Sequence, residues 1–200
     1  MPRKADKQLE SRIVDAGYQL WSKGGERALT MRAVALAAKT TTPTLYERFR
    51  DKHDLIAFLR VRARERMFNA LQPAKSTVEA CRLGLEFVLT NGNEYLLLIS
   101  DWAERLARRE QMPSYEYLME KLALDLGGEP TNYAKLAWAL VAQVHGAALL
   151  LLGEGVEAEI AKEFKDVCLE ACQTLIECAG KRVGKPTSKG AAKDCGRPRG

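Results

Sequence analysis

The chain has 200 residues, 46% hydrophobic and 28% charged, a length that suits one or two domains. Its net charge of +5 conceals a strong asymmetry. Residues 1–71 carry 15 Lys and Arg against 8 Asp and Glu, residues 72–180 carry 9 against 17, and residues 181–200 carry 7 against 1. A basic first third suits contact with phosphates and an acidic middle stays off a polyanion, although the same charges could simply solvate helix faces. The polar N-terminus does not read as a signal peptide, which makes a cytoplasmic protein the expectation.

In chain order, Leu9, Ile13, Ala16 and Leu20 form one stripe of an amphipathic helix that Gly24 and Gly25 stop. Two short helices follow between Thr30 and Phe49. Thr30 is placed to cap the first, which shows Met31, Val34, Ala35 and Ala38 at helical spacing. Thr41 is placed to cap the second, with Pro43 in its first turn and Leu45 and Phe49 four apart on one face. A helix of about two turns is not stable alone, so neighbours must hold it from behind and leave its other face free. That is the arrangement of a helix-turn-helix, whose second helix enters the major groove of DNA. Asp51 with Asp54 gives a carboxylate form of the capping box, opening a longer helix through Leu55, Phe58, Leu59, Phe68 and Leu71 to Pro73.

The sequence of Ile13, Asp15, Ala16, Leu20, Trp21, Lys23, Gly24, Leu29, Thr30, Met31, Arg32, Val34, Ala35 and Ala38, then Thr44, Leu45, Tyr46, Phe49, Lys52 and Leu55, resembles the DNA-binding domain of TetR-type transcriptional regulators. The resemblance covers residues 7–67, with the helix-turn-helix at about 30–49. It implies backbone contacts from Thr30, Arg32, Tyr46 and Lys52. Lys39 stands where a turn glycine is often found, and Glu47 puts a carboxylate near DNA. Thr41, Thr42 and Thr44 are expected at base edges, where a threonine can donate, accept or pack on a thymine methyl; Thr41 alternatively serves only as a cap. None offers a bidentate fork, which favours methyl contacts and DNA shape as the reading mode. The arm Pro2–Lys7 either grazes a minor groove or is simply disordered.

Residues 74–180 read as wholly helical, with segments near 76–91, 94–109, 114–126, 132–152 and 157–179 separated by Asn91-Gly92, Pro113, Gly127-Gly128-Glu129-Pro130 and Gly153-Glu154-Gly155. The fold expected is therefore all-α: a three-helix DNA-binding domain followed by a helical effector-binding and dimerisation domain. The apolar run Leu136–Leu152 is interrupted by Gln143, His145 and Gly146, and fits a buried helix better than a membrane span. By resemblance, the last two long helices pair with a second copy into a four-helix dimer contact. Trp138, Val141, Val144, Ala148 and Leu151 with Phe164 and Ala171 are the residues expected there. A two-fold homodimer would meet a near-palindromic double-stranded operator, with half-sites about one helical turn or a multiple apart. The resemblance also implies a small effector enclosed by the middle helices. Phe87, Tyr95, Ile99, Trp102, Tyr115, Leu118 and Leu122 are expected to line its pocket, with Asn91 and Gln143 as polar fixers; each is equally readable as plain core. So few polar groups favour an apolar or aromatic effector.

No Ser–His–acid set, phosphate loop or paired-carboxylate site stands out, so no enzyme and no cofactor are expected. His145 reads as a hydrogen-bonded imidazole within an apolar helix. The five cysteines lack zinc-ligand spacing and read as small apolar fillers, a thiol switch being the alternative. The basic tail from Lys181 is expected to be disordered. The function expected is a ligand-responsive transcriptional repressor. Its rival is a helical dimer for protein interaction or effector binding with only non-specific DNA attraction.

Overall fold

The structure, a computed structural model, describes residues 7–153 and 155–183, so the arm 2–6 and the tail beyond 183 lie outside the described residues. The described chain is all-α: ten α-helices and one 3-10 turn, with no strand among the described residues.

Helix α1 (Lys7–Ala28) buries Leu9, Ile13, Tyr18 and Trp21 on one face. Gly24 and Gly25 interrupt its helical geometry, and Gly25 takes φ 59 and ψ −151, a conformation open to glycine alone. The expected stop is thus a kink whose far side continues to Ala28. Helix α2 (Met31–Ala37) is capped by Thr30, whose hydroxyl accepts the Ala33 amide at 3.1 Å. Helix α3 (Thr42–Tyr46) is capped by Thr41 in the same way. At five residues it has no stability of its own. Leu45 and Phe49, both essentially inaccessible, anchor it, and Phe49 meets Phe58 edge-on at 5.2 Å. Between α2 and α3, Lys39 adopts φ 54, so the turn is made in left-handed geometry without the glycine that would accept it freely.

Helix α4 (Lys52–Leu71) opens on the predicted acidic cap. Asp51 accepts the Asp54 amide at 2.8 Å and Asp54 accepts the Arg50 amide at 3.1 Å. The first of these bonds holds the Asp51 carboxyl below its ordinary range. The helix packs on α1 at one end and on α5, α6 and α8 at the other, so it belongs to both parts of the molecule.

The body comprises α5 (Thr77–Thr90), α6 (Gly92–Ile99), α7 (Trp102–Ala107), α8 (Pro113–Leu126), a 3-10 turn at Pro130–Tyr133, α9 (Ala134–Leu151) and α10 (Ala158–Val183). The single helix predicted over 94–109 is two. At the break, the Ser100 hydroxyl donates to the Leu97 carbonyl at 2.7 Å, and Arg60 and Arg64 converge on Asp101. A hydroxyl satisfying a carbonyl of the preceding turn, with an acidic side chain pulled toward α4, ends α6 where hydrophobic spacing alone would continue it. The stretch Pro130–Leu151 is long and apolar enough to cross a membrane by length and composition, but it packs against α5, α8 and α10 as part of the bundle.

Candidate nucleic-acid interface and effector cavity

The residues predicted to meet DNA lie on α3 and on the adjoining starts of α2 and α4, and not all are equally free. Tyr46 is 51% exposed, four-square to solvent beside the buried Leu45. Arg32 on α2 is exposed, and Thr30, also exposed, already spends its hydroxyl as a cap. The Thr41 hydroxyl accepts the Thr44 amide at 3.3 Å and lies 2.9 Å from the Thr44 hydroxyl. Thr41 is therefore a true cap, and the two threonines hold each other. Thr42 and Thr44 are half-buried. Lys52 is not free either, because its ammonium donates to the Glu26 carbonyl at 3.2 Å and to the Glu26 carboxylate at 3.3 Å. A phosphate must take it from that pair. Lys39, Pro43 and Arg50 are exposed around the same helix, and sequence reasoning did not include them. For Lys39 the signal was present: a basic residue at the turn immediately before α3.

A second site lies in the body. Helices α4 to α9 enclose a cavity of about 530 Å³, a size suited to a small organic molecule. Of the predicted lining, Tyr95, Trp102 and Leu118 are at its wall. The rest are elsewhere. Phe87 and Leu122 are spent in the core, Leu122 with no accessible surface. Asn91 donates to the Phe87 carbonyl at 2.8 Å as the end cap of α5. Tyr115 donates to the Ala134 carbonyl at 2.8 Å and stacks on Trp138 at 4.3 Å. Ile99 packs on the core, and the Gln143 carbonyl faces the Cys168 thiol across the α9–α10 contact. The cavity instead recruits Met67, Phe68 and Leu71 from α4, Leu140, Val141 and Val144 from α9, and His145. Helical phase explains the difference, since which face of α4 and α9 meets the cavity depends on how the helices are rotated in the bundle. His145 is the predicted hydrogen-bonded imidazole, with Nδ1 2.8 Å from the Tyr95 hydroxyl, but it also lines the cavity. Burial pushes its pKa down to about 4 and pushes Tyr95 up to about 12, so both are neutral at physiological pH.

Helix α6 joins the two sites. Next to Tyr95, the Glu94 carboxylate is 3% exposed and points the other way, into the seam with α1. It accepts hydrogen bonds from Tyr18, from Ser22 at 2.8 Å and from Arg66 at 2.8 Å. Burial first, and the neighbouring carboxylate second, raise the Tyr18 pKa well above that of an ordinary phenol. Asn93 completes the seam: its carbonyl accepts from the Trp21 indole at 2.7 Å, and its amide donates to the Ser22 carbonyl at 3.0 Å.

The predicted dimer residues divide. Phe164 is exposed and Ala171 and Leu151 are half-buried, whereas Ala148 is buried in the chain's own core and Val144 is buried at the cavity wall. Val141 faces the cavity, and Trp138 is half-buried among Tyr115 and Trp102. The outward apolar surface is set by the next residues round the helices. Leu149 and Leu150 on α9 and Ile160, Phe164, Val167 and Leu175 on α10 are exposed, with Ala139, Ala142 and Gly146 giving α9 a shallow surface. Cys81, Cys168 and Cys172 are buried and Cys178 is exposed. Burial and Cys172 raise the Cys168 pKa to about 11, as expected of inert thiols. Among the described residues, no group of three His, Cys, Asp or Glu side chains is placed to hold a metal ion.

Residues 13–58 match the family model described as bacterial regulatory proteins, tetR family. No curated protein matches the chain. Solved structures share its fold along nearly its whole length. The transcriptional regulator SCO7222, a TetR from Streptomyces coelicolor, is 19% identical with a TM-score of 0.60, covering 86% of this chain and 97% of its own. A TetR-like transcriptional regulator from Rhodococcus sp. RHA1 is 22% identical with a TM-score of 0.52, covering 92% and 100%. The multidrug binding protein EbrR, complexed with imidazole, is 21% identical with a TM-score of 0.59, covering 88% and 93%.

Proposed function

We infer, from the match of residues 13–58 to the tetR family model and from a fold shared with structures described as TetR-like regulators, a homodimeric repressor released from its operator by a small molecule in the body cavity. The observation that carries the ligand response is helix α6. Two consecutive residues meet different neighbours: Glu94 clasps α1 and Tyr95 forms part of the cavity wall. A ligand that moves Tyr95 and His145 must displace an eight-residue helix as a unit, and with it the grip on Tyr18, Ser22 and Trp21. Coupling of this kind lowers DNA affinity by whatever free energy the ligand gains from the displaced state over the bound one. EbrR, of the same fold, has also been solved with proflavin, which supports a cavity of this kind as a small-molecule site.

The outward stripe of α9 and α10 supports a second copy as its occupant. It exposes Leu149, Leu150, Ile160, Phe164, Val167 and Leu175, and only 28% of the apolar stretch in α9 is buried within one chain. Two subunits then place two α3 helices on half-sites of a near-palindromic operator in the cytoplasm, held by Arg32, Tyr46 and Lys52 on phosphates and by Thr42 and Thr44 at base edges. A mobility-shift titration over genomic fragments tests the reading: a few fragments should be retained at far lower protein concentration than the bulk. Tyr46→Phe should weaken all fragments alike, and Thr44→Ala should change which fragment is preferred. Equal retention of every fragment would favour an interaction module with general DNA attraction instead.

A further inference from the structure

The chemistry of the cavity wall narrows the effector, on the premise that this cavity is the effector site. Its charged members are already paired. Arg64 is 3.1 Å from Asp101, and Arg105 is 3.0 Å from Glu110 and donates to the Gln111 carbonyl at 2.7 Å. Glu65 faces Arg62 at 3.6 Å. A charged ligand would have to break one of these pairs. The remaining wall is aromatic and thioether-rich: Phe68, Tyr95, Trp102, Met67 and Met112. His145 stands within this wall, its ring 5.4 Å from Tyr95 and 4.9 Å from Trp102.

Tyr95 has one hydroxyl proton and two acceptors within reach, His145 Nδ1 at 2.8 Å and the His145 carbonyl at 3.5 Å. Were Nδ1 protonated and donating to the hydroxyl, the phenolic proton would be left with the 3.5 Å contact alone, so the tautomer in which Nδ1 accepts it is the better satisfied. A neutral imidazole whose Nδ1 accepts carries its hydrogen on Nε2, so His145 offers an N–H donor among the aromatic rings of a wall whose other uncharged polar side chains are Gln111, Ser114 and the Tyr95 hydroxyl. The geometry points to an uncharged, flat, ring-bearing effector with a carbonyl-type oxygen, stacked among Phe68, Tyr95 and Trp102 and held by its oxygen on His145 Nε2. A donor of this kind discriminates strongly, because a ligand without the oxygen leaves a polar group buried and unpaired.

The test uses two probes of the same shape, 9-fluorenone and fluorene, with proflavin as a cationic probe and 2-naphthoate as an anionic one. Binding to the full-length protein is followed by quenching of tryptophan fluorescence and by calorimetry. Fluorenone should bind at least about tenfold more tightly than fluorene and than either charged probe. In His145→Phe, which keeps the ring and loses the donor, fluorene should still bind and the ratio should fall to about one. Circular dichroism at pH 8 checks that the variant is folded, and His145→Gln, which retains an N–H donor, should recover part of the discrimination. A ratio near one in the wild type, a ratio unchanged in His145→Phe, preference for a charged probe or no binding of any probe would each overturn the assignment. Tight fluorenone binding that leaves operator affinity untouched would instead count against the regulatory role of the cavity and leave the assignment standing.

Discussion

Removing Arg66 probes the clasp that joins the two halves of the chain. The guanidinium contributes one charge-assisted hydrogen bond to Glu94 at 2.8 Å and lies 5.4 Å from the centre of the Tyr18 ring. A hydrogen bond to a charged group is worth about 1.5–3 kcal/mol, and a partly exposed cation–π contact about 0.5–1 kcal/mol. Arg66 is 45% exposed while Glu94 is 4% exposed, so water recovers part of the first contribution and little relieves the carboxylate left behind. Arg66→Ala should therefore destabilise by about 2–3 kcal/mol, lowering Tm by roughly 5–10 °C for a chain of this size. Glu94→Ala should cost a similar amount by stranding the Tyr18 and Ser22 hydroxyls. The double variant should cost less than both together, with a coupling of about 1–3 kcal/mol. Urea unfolding of the four proteins at one fixed concentration measures the cycle. The same variants should bind DNA yet respond weakly to effector, because α1 no longer follows α6. A coupling below about 0.5 kcal/mol would refute the view that Glu94 and Arg66 act as one unit.

Three further outcomes follow from particular residues. Lys39→Gly should raise stability by about 0.5–1 kcal/mol, since a lysine at φ 54 carries a strain that glycine lacks; a lower Tm would contradict this. Leu150→Glu with Val167→Glu, at positions 63% and 53% exposed in one subunit, should leave each subunit folded but give monomers in sedimentation and weaken operator binding steeply. His145 sets a pH dependence. Its folded pKa of about 4 lies below an unfolded value of about 6.5, so the unfolded chain binds the proton first. Its contribution is present in full above pH 6.5 and is lost as pH falls toward 4, by about 3 kcal/mol at most. His145→Gln should remove that part of the slope, and an identical slope in the variant would exclude His145 as its source.

The local elements were legible in the chain because their causes are local. Thr30, Thr41 and Asp51 cap helices through contacts three residues away, and Leu45 and Phe49 sit on the buried side of α3 because the helical repeat puts them there. The resemblance over residues 7–67 was readable for the same reason, and residues 13–58 carry the tetR-family match. Rotation of the long helices was not readable. Hydrophobic spacing marked α9 as apolar on nearly every side, and such a helix gives no sign of which face meets the core, the cavity or the outside. Ala148 turned inward, Val141, Val144 and His145 toward the cavity, and Leu149 and Leu150 outward, a choice made by α5, α8 and α10 packing around them. The pairing of Glu94 with Tyr18, 76 residues apart, and of Tyr95 with His145, 50 apart, likewise leaves no trace in spacing. Composition and short-range pattern thus determined the helices and their caps. Only the packed tertiary arrangement decided which side chains enclose the cavity and which hold the two domains together, because those contacts depend on helix orientations fixed by the whole core.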